Sequence, residues 1–202
     1  MSLRELKQQA ARDHVADAAA PLFTSDGYMA TSTRKVAAAA GVAEGTIFNL
    51  FGTKAYLLLA ALHRSVPDMV TADQWAAEAR TMATAGEIVE HFCRTGREVS
   101  DAALPLVRVF LEAATVDTAV AEAWHNQEAF RLEGQTWVLD VLAQRGWLRS
   151  DRDRHDLARD LWVLAAPEVH LKCLDAGMSE DDFQRWLGGL LVDLLIAPEH
   201  GA

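Results

Sequence analysis

The chain lacks the marks of a membrane, secreted or zinc-binding protein. No apolar run approaches the ~20 residues that span a bilayer, and the segment MSLRELKQQAARDH is too polar for a secretory signal. There are only two cysteines, Cys93 and Cys173. They lie far apart in no CxxC or His-Cys spacing, which suits a reducing compartment and supplies no zinc signature. These absences lead us to expect a cytoplasmic protein without a membrane partner. The GxSxG, HExxH, Walker and dinucleotide motifs are missing too, so neither an enzyme class nor a cofactor is indicated. The Glu90–His91 pair stands without a partner constellation. The acidic run Glu180-Asp181-Asp182 reads as the first turn of a helix, where negative charge is stabilising.

Proline occurs only five times, and β-branched alternation is absent. Apolar residues recur instead at three- and four-residue spacing, which predicts an all-α chain. Helices are expected over 3–23, 32–40, 44–51, from 54 to just before Pro67, and over 72–82, 87–100, 105–114, 118–145, 154–176 and 180–197. Ser25-Asp26-Gly27 would stop the first. Thr53, Asp117, Asp153 and Ser179 stand where N-caps are wanted, Pro105 suits a first turn, and Pro167 should bend its helix. The net charge of −10 is unevenly spread. Through Arg64 there are seven basic and five acidic side chains, a net +2, which leaves −12 for the remainder. A mildly basic end can meet phosphates at short range while the acidic body repels them.

The segment ATSTRKVAAAAGVAEGTIFNLFGTK carries the sharpest pattern. Two short helices joined by a tight glycine turn form a helix-turn-helix, with Gly41 at the turn and the small run 37–40 letting the helices cross closely. Val36, Val42, Ile47, Leu50 and Phe51 supply the inward face against Leu22 and Phe23. Glu44, Gly45, Thr46, Phe48 and Asn49 face outward. Compact Gly45 and Thr46 allow the helix to approach a phosphate or base edge, Asn49 suits adenine, and Thr46 suits a thymine methyl group. Phe48, a large aromatic facing outward, either contacts DNA or tucks into a crevice of the module.

The stretch ARDHVADAAAPLFTSDGYMATSTRKVAAAAGVAEGTIFNLFGTKAYLL resembles the TetR family of bacterial repressors. The matching features are Leu22-Phe23 ending the first helix, Gly27-Tyr28 before the second, Ala40-Gly41-Val42 in the turn, Gly45-Thr46 in the recognition helix, and Phe51-Gly52-Thr53-Lys54 leading into the fourth. The resemblance implies a ligand-responsive repressor that binds double-stranded DNA at a palindromic operator. In that arrangement Thr31 or Ser32 caps the second helix, Ser32 and Thr33 lie close to phosphate, and Arg34 lies near DNA. Gly45, Thr46 and Asn49 face the major groove, Phe48 takes the usual tyrosine position, and Lys54 grips a phosphate. Ala43 stands where a serine or threonine cap worth ~1 kcal/mol is common. Phe48 lacks a phenol, Leu50 replaces a common histidine, and Glu44 adds a carboxylate that only a donor such as a cytosine amine would welcome. These departures leave open an alternative: a helical ligand-binding or interaction protein with weakened DNA binding.

The expected organisation is a three-helix DNA-binding domain over 1–52 and a helical effector-binding and dimerisation domain over 53–202. The last two helices are apolar on several sides and must be covered on several sides. Leu161, Leu164, Phe183, Trp186, Leu187, Leu190 and Leu194 are the expected homodimer face, in a four-helix bundle with a second copy, as the resemblance implies. In the middle helices, Phe92, Phe110, Trp124, Gln127, Phe130, Trp137 and His170 are candidates to line a pocket for a small, mainly apolar effector. Core packing is the competing reading for each of them.

Overall fold

The computed structural model describes residues 2–66 and 71–200. Among these, helix accounts for nearly all regular structure. The sole β feature among the described residues is an isolated antiparallel bridge between Leu148 and Ile196. The described residues form eleven α-helices: α1 (Leu3–Ala30), α2 (Thr33–Ala40), α3 (Glu44–Phe51), α4 (Lys54–Ser65), α5 (Ala72–Ala79), α6 (Ala85–Ala114), α7 (Thr118–Gln135), α8 (Trp137–Gln144), α9 (Arg154–Leu164), α10 (Pro167–Asp175) and α11 (Glu180–Leu195). The residues group into two units, Met1–Pro67 with Ala102–Gln127, and Asp68–Asp101 with Glu128–Ala202.

In the first unit, α1 packs on α2, α3 and α4. It buries Val15, Ala16, Ala19 and Phe23 on one stripe. The expected stop at 25–27 is real but local. Gly27 leaves helical geometry at φ 78°, and one further turn follows before Thr31. The Thr31 hydroxyl, fully buried, donates to the carbonyls of Leu22 and Gly27 and so folds the end of α1 back on itself. α4 ends at Ser65; Pro67, the expected stop, lies outside the described residues.

In the second unit, α5 packs on α8, and α11 on α9 and α10. Ile88, Val89, Phe92, Trp137, Leu142, Leu157 and Leu191 belong to its core. Three sequence boundaries differ from expectation. The helices expected over 87–100 and 105–114 are one, α6, with Pro105 in its interior. That proline forfeits one backbone bond, but apolar residues buried on both sides of it, such as Phe92, Leu104 and Phe110, hold the helix through. The helix expected over 118–145 divides at Thr136. The one expected over 154–176 is broken rather than bent: Ala166 turns extended at ψ 139°, as a residue before proline prefers, and Pro167 starts a new helix.

Candidate nucleic-acid interface

The helix-turn-helix is built from short-range chemistry. Ser32 caps α2 by accepting from the Lys35 amide. Gly41 ends α2 in the left-handed region at φ 67°, and the amides of Gly41 and Val42 return to the carbonyls of Ala38 and Ala37. Ala43 gives α3 no side-chain cap. Gly52, also at positive φ, ends α3, and Thr53 caps α4 by accepting from the Tyr56 amide. Val36, Ala37, Ala40, Ile47 and Phe51 are buried, while Val42 and Leu50 are half-buried.

Two side chains of α1 complete the frame, and the sequence reading missed both. Arg12 donates to the Leu50 carbonyl and lies over the Phe51 ring at 4.7 Å. His14 Nε2 stands 2.9 Å from the Ala40 carbonyl. Together they hold the C-terminal ends of α3 and α2, where helix carbonyls lack partners. The bonds span 38 and 26 residues, so no local pattern announces them.

The outward set is laid open. Glu44, Gly45, Phe48 and Asn49 are exposed, Phe48 by 51%, and Thr46 is half-buried. Phe48 therefore does not tuck into the module. Ser32 and Arg34 are exposed beside them at the start of α2. Thr33 is half-buried, and its hydroxyl donates to Glu44 Oε1 at 2.6 Å, tying the first turns of α2 and α3 together. Lys35 pairs with Asp26, whose carboxyl is held below its ordinary range chiefly by that ammonium.

Lys54 is engaged within the chain. Its Nζ donates to the Tyr28 carbonyl at 2.9 Å and sits 3.9 Å from the centre of the Tyr28 ring. Burial pulls its pKa down, with the Asp117 carboxylate opposing. The Tyr28 hydroxyl donates to Asp117 Oδ2 at 2.9 Å, and Asp117 caps α7 through the amides of Ala119 and Val120. Burial, then the nearby carboxylate, pushes the Tyr28 phenol up, and the phenol's hydrogen bond holds Asp117 down.

The effector candidates fall into separate clusters. In the first unit, Phe110 and Trp124 lie 5.4 Å apart, and Gln127 Oε1 is 2.7 Å from His63 Nε2. In the second, Trp137 meets Phe92, His91 and Trp75, and His170 stacks on Phe183 at 4.0 Å with Nε2 2.7 Å from Glu180. Phe130 is 70% exposed. Buried His91 accepts at Nδ1 from Arg94, which leaves the proton on Nε2, without a hydrogen-bond partner among the described residues and 3.7 Å from Glu78. Trp162 Nε1 is a second buried donor without a hydrogen-bond partner among the described residues. Of the expected dimer face, Leu161, Phe183 and Leu187 are buried in their own chain's core, whereas Leu164, Leu190 and Leu194 are half-buried and Trp186 is exposed. The apolar faces of these helices are thus shared between an inner core and an outer strip.

A helix-turn-helix with its second helix open to solvent, carried on an all-helical body, defines a DNA-binding transcriptional regulator. Residues 15–61 match the family model described as bacterial regulatory proteins, tetR family, so the module is that of the TetR family. No curated protein matches the sequence significantly. The fold is shared along nearly the whole chain with solved regulators. NalD, the secondary repressor of the MexAB-OprM multidrug efflux pump in Pseudomonas aeruginosa, is 18% identical with a TM-score of 0.69, over 95% of this chain and 98% of that one. FadR from Bacillus subtilis, solved with stearoyl-CoA, is 18% identical with a TM-score of 0.67, over 90% and 96%. SmeT, solved with triclosan, is 18% identical with a TM-score of 0.69, over 94% and 93%. Among the described residues no single helix is long and apolar enough to cross a membrane.

Proposed function

We propose that this regulator is a cytoplasmic, homodimeric repressor that binds a palindromic operator and is released by a small, mainly apolar effector, without enzymatic turnover. The observation that carries the reading is the open face of α3, where Glu44, Gly45, Phe48 and Asn49 stand exposed on a helix whose other face is locked to α1. Residues 1–52 read DNA in this proposal, and residues 53–202 supply dimerisation and the effector site. This division is one of roles; by packing, α4 and residues 102–127 go with the reading module. Ser32, Arg34 and Lys54 meet phosphates through their side chains and Thr33 through its backbone amide at the start of α2, its hydroxyl being given to Glu44, and Thr46, Phe48 and Asn49 approach the bases. Support for an apolar effector comes from the aromatic clusters around Trp137 and Phe110, and from the triclosan and stearoyl-CoA held by structural neighbours. To switch anything, the effector must bind the free and DNA-bound conformations with different affinity.

Fluorescence anisotropy with the regulator's own upstream region tests this. Binding is expected to weaken steeply with salt, and Arg34→Ala and Lys54→Ala should each lower the slope of log K against log salt by about one. Equal, weak affinity for that region and for random duplex at low salt would sink the proposal. It would favour the second reading, a helical ligand-binding protein with weakened DNA binding, which Ala43, Glu44 and the net charge of −10 motivate.

A further inference from the structure

Glu44 is the one acidic group on the open face of the recognition helix, and a carboxylate there is repelled by every nearby phosphate. Two details set it apart from an incidental surface charge. Thr33 donates to its Oε1 at 2.6 Å, which fixes the side chain across the first turns of α2 and α3, while Oε2 accepts no hydrogen bond among the described residues. Next to it stands Gly45, whose φ is not positive and whose absent Cβ would meet nothing within 4 Å. Glycine inside a helix is destabilising relative to alanine, and here neither backbone strain nor packing within the chain calls for it. The space it leaves is on the outside, where it lets the α3 backbone and the Glu44 carboxylate come close to a surface.

An ionised carboxylate only accepts hydrogen bonds. In the major groove just two base-edge groups donate, the adenine N6 amine and the cytosine N4 amine. Beside the adenine amine lies N7, an acceptor that a carboxylate cannot satisfy and that repels it. The cytosine amine has only a C–H beside it on the same base. We infer that Glu44 reads one cytosine in each half of the operator, with Oε2 accepting from the N4 amine, Thr33 acting as the positioning residue and Gly45 providing the approach. The inference rests on the proposed reading of α3 as a base-contacting helix and adds which base one of its residues takes.

The test is selection of binding sites from a randomised duplex library with the full-length chain, followed by affinities for single-base variants of the selected site. The wild type is expected to fix a cytosine at one symmetric position, and C·G→T·A there should weaken binding about tenfold or more. Glu44→Ala should bring that ratio below about twofold and leave the other positions as they were. Glu44→Gln should move the preference to adenine, which a glutamine pairs through N6 and N7. Thr33→Val should blunt discrimination at this position alone. Because Glu44 is exposed, thermal melting of each variant checks that the module still folds. Selection of an operator with no cytosine preference that Glu44→Ala erases would overturn the inference while the DNA-binding reading stands. So would a Glu44→Ala variant that binds all sequences more tightly with unchanged preferences, since the carboxylate then only repels. Selection of no sequence by the wild type would instead overturn the reading of α3 itself.

Discussion

Gly41 and Ala43 sit two residues apart in the turn and illustrate opposite local energetics. At Gly41 the backbone occupies φ 67°, where a Cβ crowds the following carbonyl. Gly41→Ala should therefore lower stability by about 1–2 kcal/mol, read as a fall in the urea midpoint. Ala43 already has the extended geometry of an N-cap, φ −70° and ψ 145°, but no oxygen to accept an α3 amide. Ala43→Ser should return about 1 kcal/mol, and no gain in midpoint would mean that water already satisfies those amides. Cys93 shows burial acting on reactivity. Enclosure among apolar groups, with Glu90 as a lesser cause, pushes its thiol up to about 12, so little reactive thiolate forms near neutral pH. A disulfide reagent applied to the native protein should modify Cys173, which is half-buried, well before Cys93, and Cys93 should react at full rate only in denaturant. Fast modification of both in the native state would contradict this burial.

At the scale of elements, the Lys54–Tyr28–Asp117 chain joins the start of α4, the end of α1 and the N-cap of α7 within one unit. Two of its titratable groups, Asp117 and Tyr28, give stability opposite pH dependences. Asp117 is held below its ordinary 3.8, so its contribution is present above that value and is lost as pH falls through the lower folded one. Tyr28 is raised above its ordinary 10.0, so its contribution is full below that value and is lost as pH rises through the folded one. Tyr28→Phe should flatten both limbs of the stability–pH curve, whereas Asp117→Asn should remove the acid limb and leave a weakened alkaline one. Curves for the variants parallel to wild type would show that the phenol–carboxylate bond does not form. None of this chain was legible beforehand beyond Asp117 as a cap, because Tyr28 and Asp117 lie 89 residues apart. The helix-turn-helix was legible because its determinants are local: a glycine turn, serine and threonine caps, and an inward stripe at helical spacing. The breaks at Thr136 and Ala166 and the passage of α6 through Pro105 were not. At Pro105, residues buried on both sides outweigh the local signal of the proline, whereas at Ala166 the proline acts locally but breaks the helix where only a bend was expected.

For the whole molecule, the proposed homodimer is tested at the outer apolar strip of α9 and α11. Leu187 and Trp186 are neighbours in sequence with opposite roles. Leu187 is 5% exposed in the core of its own unit, whereas Trp186 is 36% exposed and Val163, on α9, is 46% exposed. Leu187→Ala should cost about 2–5 kcal/mol wherever the protein is studied, because it opens a cavity. A strip with a large aromatic and a β-branched residue open to water is instead what a self-complementary interface would bury. Val163→Glu combined with Trp186→Glu places carboxylates on that strip, in a protein whose net charge is already −10. The expected product is a helical monomer by sedimentation and circular dichroism. Its operator affinity should fall by about a hundredfold or more, since two linked modules gain from effective concentration and single ones do not. The same variant should keep its relative preferences among half-sites, because in the proposed reading base contacts belong to α3 and not to the interface. A wild type that sediments as a monomer at micromolar concentration would remove the twofold operator with it, because a palindrome is only read as one by a symmetric pair.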